Sequence, residues 1–132
     1  GEESGWRGFL FPEFDQVVNS RMATLYTAFI WAAWHFPAFL YDSNFRSMGL
    51  TGILGWGVVL IFGSLLLGWL VKQAGLNLWP VILWHGTFNF FTASDYIDPL
   101  YPGLMSAVII LVVLILVRQY QENLLDPVAS RG

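Results

Sequence analysis

The sequence predicts an all-α, polytopic transmembrane helix bundle, on three observations. Charged residues make up only 11% of the chain and hydrophobic residues 56%, whereas a soluble domain carries about a quarter charged residues because its surface faces water. The charges sit in short clusters between long apolar runs, the distribution of a membrane protein rather than of a soluble core. Lone strands and irregular backbone leave polar groups unpaired in lipid, so these runs are expected to form helices.

Four apolar runs are each about long enough to cross a bilayer as a helix. The first covers about 22–41 and contains His35 and Pro37, and the second covers about 50–71. The third, about 78–93, is shorter and contains Pro80, His85 and Asn89. The fourth, about 100–117, includes a stretch at 107–117 with no polar face, which should touch lipid over most of its circumference. Ahead of these, residues 1–20 mix Trp6, Phe9, Leu10 and Phe11 with Glu13, Asp15, Gln16 and Asn19. That segment reads as the outgoing end of a further membrane helix followed by a turn. Residues 1–132 are thus expected to form one membrane domain, the C-terminal part of a longer unit whose upstream helices are missing.

Composition also excludes functions. The net charge of −3 supplies no basic stripe for nucleic acid. With no cysteine there is no disulfide, thiolate metal site or cysteine nucleophile. Counting connections alternately, one side of the membrane receives Arg21, Lys72, Arg118 and Arg131, and the other Arg46 with Asp42, Asp95 and Asp98. The basic excess makes the first side, with the C-terminus, cytoplasmic. The expected location is a plasma membrane of bacterial type, with lipid, a membrane peptide or protein substrate and other membrane subunits as partners.

Ionisable side chains within hydrocarbon are costly and mark function by default. Here they are Glu2, Glu3, Arg7, His35 and His85, joined by the polar Asn89. Glu3 and Arg7 stand four apart with the acid first, the spacing of a helical ion pair, which leaves Glu2 without a partner in its own helix. Solvation of both glutamates at a frayed chain end is the alternative. If the chain turns near 17–20, Glu2 lies thirteen residues before Asp15 and His35 fourteen after Arg21. Each then sits roughly 20 Å from the same membrane surface, so two antiparallel helices bring a carboxylate and an imidazole to similar depth. Pro37 denies Ala33 O its usual donor, and such irregular backbone is tolerated where it lines a cavity. His85 and Asn89, also four apart, share a helix face and could donate hydrogen bonds to a developing oxyanion or act as interhelical glue. Straight helices would leave His85 shallower than His35 by roughly 10 Å.

Three stretches together resemble the CPBP family, the CaaX protease and bacteriocin-processing (Abi) group that includes type II CAAX prenyl endopeptidases. They are Glu2-Glu3-Ser4-Gly5-Trp6-Arg7 (EExxxR), the segment ending Trp31-Ala-Ala-Trp-His35 (FxxxH) and His85-Gly-Thr-Phe-Asn89 (HxxxN). Trp31 stands where the pattern has phenylalanine, keeping an aromatic wall. The resemblance implies a polytopic intramembrane endopeptidase in which Glu2 and His35 activate water, His85 and Asn89 stabilise the oxyanion, and Glu3 and Arg7 give support. A glutamic, metal-free site is preferred. A zinc site on Glu2, His35 and His85 would leave no separate general base except Glu3, which is better placed to pair with Arg7. The alternative function is a non-catalytic membrane scaffold, immunity factor or subunit of a larger membrane complex. Nothing in the sequence selects a particular substrate.

Overall fold

A computed structural model describes residues 1–92, 98 and 100–120, and all its regular elements are helical. Helix α1 (Glu2–Gly5) runs through a π-helical turn (Trp6–Leu10) into α2 (Phe11–Val17). The wide turn sits just ahead of Pro12, which lacks an N–H and whose ring crowds the carbonyl one turn back. The chain reverses at Val18 and Asn19, and the Asn19 side chain caps α3 (Ser20–Trp34) by accepting from Met22 N at 3.0 Å.

Helix α3 ends at His35, where Pro37 precludes another α-helical turn; His35 N and Phe36 N instead bond three residues back, to Ala32 O and Ala33 O. The short helices α4 (Ala38–Tyr41) and α5 (Ser43–Ser47) follow, α5 capped by Asp42 Oδ1. Helix α6 (Leu50–Gln73), the longest among the described residues, has 24 residues, about 36 Å at 1.5 Å per residue. It closes on residues of positive φ, Gly75 (61°) and Leu76 (67°), with Leu76 N bonded to Val71 O. Helices α7 (Trp79–Thr92) and α8 (Leu100–Tyr120) complete the bundle.

Among the described residues, only α6 and α8 are both long and apolar enough to cross a membrane alone. The first predicted span differs from expectation, because α3 stops after 15 residues at the His35–Pro37 break, against the roughly 20 that a full crossing requires. The third, short already in the sequence, forms α7 over 14 of the described residues. Connection 93–99, apart from Asp98, and the residues after Tyr120 lie outside the described residues, and with them Asp95 and Arg131 of the orientation argument.

Helix α6 is central, packing on α3, α7, α8 and the π-turn. Its contact with α3 is built from small residues. Ser20, Ala23, Thr24, Thr27 and Ala28, followed by Trp31, form the buried stripe of α3, and the buried residues of α6 are Leu60, Ser64, Leu66, Leu67, Gly68 and Val71. Small side chains let membrane helices approach closely, and Thr24 and Thr27 satisfy their hydroxyls on the carbonyls of Ser20 and Ala23. On the opposite side Leu66 packs with Ile109 and Val113 of α8. At the end of α6, Lys72 Nζ lies 3.0 Å from Asp15 Oδ2 and bonds Ser20, pinning α6 to the α2–α3 turn. Lys72 and Arg21 therefore lie at the same end of the bundle, as the charge count assumes. Gly8 permits another close approach, since a Cβ there would stand 2.9 Å from Leu78 Cδ1. Large apolar side chains such as Phe29, Leu40 and Leu111 stay exposed on the outside, as lipid requires.

Candidate active site

A cavity of about 860 Å³ opens between α1, α3, α5, α6, α7 and α8. Glu2, His35, His85 and Asn89 all line it, as does Trp31. The hairpin expected from the spacing of Glu2 and His35 is thus present, and α7 brings His85 and Asn89 to the same space.

Beneath the cavity floor lies a charged network. Arg7, 1% exposed, places Nη1 3.1 Å from Oε1 of Glu3, itself 4% exposed, so the i,i+4 pair expected from the sequence is formed and buried. Arg7 Nη2 donates to Ser64 Oγ at 3.1 Å, and the Ser64 hydroxyl in turn donates to Thr24 O at 3.4 Å. The guanidinium also lies over the Trp31 ring, 4.5 Å from its centroid. Glu3 does more than pair with Arg7, because its Oε1 stands 2.7 Å from His85 Nδ1. Since Arg7 donates to the same oxygen, the carboxylate is the acceptor and His85 Nδ1 carries a proton.

The His35 tautomer follows from similar logic. Its Nδ1 lies 2.8 Å from Trp31 O, and a carbonyl can only accept, so Nδ1 is protonated. In neutral imidazoles this leaves Nε2 of both histidines as an acceptor, able to take a proton from water. To donate to an oxyanion as well, His85 must be an imidazolium, with Nδ1–H directed at Glu3 and Nε2–H at the substrate.

Trp31 joins these groups. Its Nε1 donates to Glu2 Oε2 at 2.9 Å, and its ring stands edge-on to His35 (5.8 Å between centroids) and to His85 (5.3 Å). Glu2 and His35 are therefore joined through a tryptophan. The depth mismatch expected between the histidines is bridged in the same way, because His85 stands beside the residue one turn before His35. Phe45 of α5 and Trp56 of α6 also flank the His35 ring, at 6.0 and 5.6 Å. Among the described residues, no three His, Asp or Glu side chains are gathered so that they could hold a metal ion; Glu2, His35 and His85 share a cavity without forming a ligand set.

Sequence reasoning missed Trp31 as a hydrogen-bond donor, Ser64 as an anchor for Arg7 and the Glu3–His85 bond. Signals for the first two were present. Trp31 lies one helical turn before His35, and Ser64 is the lone hydroxyl in the apolar run 53–71. The Glu3–His85 bond depends on how α7 packs, which no spacing within the chain reports.

The comparisons with known proteins bear on the same stretch. No curated protein and no solved structure matches the chain. Residues 1–91 match the family model described as type II CAAX prenyl endopeptidase Rce1-like, a span that contains Glu2 to Asn89 and ends before α8. With Glu2, His35, His85 and Asn89 lining one cavity of the helix bundle and the match extending over most of its length, the chain belongs to the type II CAAX prenyl endopeptidase Rce1-like family.

Proposed function

We propose that the chain carries the catalytic end of an intramembrane endopeptidase of glutamic type, which hydrolyses a peptide bond in a membrane-associated protein or peptide. The observation that supports this best is the lining of one cavity by a carboxylate, two imidazoles and a carboxamide, Glu2, His35, His85 and Asn89. Glu2 is the general base that takes a proton from water. His35, with Nε2 as its open nitrogen, accepts a hydrogen bond from that water; the proton taken up by Glu2 is then relayed through Nε2 to the leaving amine as the C–N bond breaks. His85 and Asn89 donate to the oxyanion of the tetrahedral intermediate. Glu3 and Arg7 lie buried below, their charges committed to each other and to His85. No metal is invoked, since acid–base groups suffice for this chemistry.

The family's description makes a prenylated peptide ending in a CaaX sequence the first substrate to try. With such a quenched fluorescent peptide, the protein in lipid nanodiscs should give two fragments. His35→Ala should abolish turnover and retain peptide binding. A parent that binds the peptide without cleaving it would favour the scaffold reading, in which the Glu3–Arg7–His85 network serves only to hold helices together.

A further inference from the structure

We propose that Trp31 is a positioning residue for this hydrolysis: its indole N–H holds one oxygen of Glu2 and leaves the other free for water. The inference rests on the endopeptidase reading above and deepens it. Glu2 stands in the first turn of the helical run that α1 opens and has an exposed side chain, so packing within its own element does little to orient its carboxylate. Trp31 provides the constraint, with Nε1 2.9 Å from Oε2.

The donor is itself held on several sides. Trp31 is 7% exposed, its face lies against Arg7 and its edges meet both imidazoles. Arg7 cannot drift, because Glu3 and Ser64 bind its two terminal nitrogens. A connected path thus runs from the buried ion pair through the indole to the proposed base. The same residue's carbonyl accepts from His35 Nδ1, so one turn of α3 sets both the orientation of Glu2 and the tautomer of His35. Phenylalanine, which the FxxxH pattern has at this place, would keep the ring and its contact with Arg7 but supply no donor to Glu2. The position therefore carries a function in this chain that an aromatic wall does not require.

The test uses the intact protein in nanodiscs and the quenched prenylated peptide. Trp31→Phe should lower kcat by roughly tenfold to hundredfold, the worth of one hydrogen bond to a charged group, with KM within about twofold. Benzothienylalanine at position 31, which keeps the bicyclic ring and lacks only the N–H, should reproduce the loss even if the smaller ring disturbs packing. A structural role alone would lower the folded fraction and leave kcat per folded molecule intact. Independently of activity, the ¹⁵N-indole resonance that disappears in Trp31→Phe should shift in Glu2→Gln and move much less in Asn89→Ala. Full kcat in both position-31 variants, or an indole resonance indifferent to Glu2→Gln, would overturn the proposal. If the parent cleaves nothing while that resonance responds, the endopeptidase reading falls and the Trp31–Glu2 contact stands.

Discussion

Replacing Arg7 by methionine should destabilise the protein far more than its spacing from Glu3 suggests. An i,i+4 ion pair on an exposed helix contributes about 0.3–0.5 kcal/mol. Here the side chains are 1% and 4% exposed, so methionine leaves a carboxylate buried with its main counter-charge gone. Breaking a buried pair from one side costs about 3–5 kcal/mol. The Ser64 hydrogen bond and the stacking on Trp31 are lost in the same step. Combining Arg7→Met with Glu3→Gln removes both charges and leaves an amide oxygen to accept from His85 Nδ1. The double variant should recover about 2–3 kcal/mol relative to the sum of the single losses. Equilibrium unfolding in mixed micelles, followed by tryptophan fluorescence and titrated with SDS, measures the whole cycle. Single losses below about 0.5 kcal/mol that simply add would show that the pair behaves as a wet surface contact, and the network described here would be wrong.

Asn89→Ala should retain fold and binding and slow turnover by about 10²–10³, the usual cost of one oxyanion donor; an unchanged rate would remove Asn89 from the site. The chain has no cysteine, so single cysteines report topology cleanly. Placed at Ser43 and Ser94 they should react with an impermeant thiol reagent in intact cells, and one at Gln121 only after lysis, whereas the opposite pattern would invert the orientation. Elemental analysis of active protein should find well under one equivalent of zinc, with activity surviving chelators; stoichiometric zinc that leaves on His35→Ala would replace the metal-free mechanism.

Much of the fold was legible because lipid imposes strict rules. The apolar runs locate α6, α7 and α8 within a few residues, and Pro37 marks the break after His35. Hydropathy does not show how far each run crosses, and so the run at 22–41, which α3 leaves at the His35–Pro37 break, looked like a fuller span than it is. Local spacing reveals contacts within a helix, hence the Glu3–Arg7 pair. Contacts between helices require packing, and so Ser64 under Arg7 and Glu3 beside His85 emerge only in three dimensions. Trp31 is the instructive case: viewed as a substituted aromatic it is only a wall, and its role becomes visible once its N–H has an acceptor.

The central claim is that Glu2 and Glu3, adjacent in sequence, have different tasks, and comparing Glu2→Gln with Glu3→Gln tests it most directly. Glu2 faces the cavity, while Glu3 is buried and bound by Arg7 and His85. Rates on the quenched membrane peptide, measured at matched amounts of folded protein, should show no turnover for Glu2→Gln. Glu3→Gln should give a lower folded yield and slowed but measurable cleavage. Near-normal turnover in Glu2→Gln beside a well-folded but inactive Glu3→Gln would contradict the account.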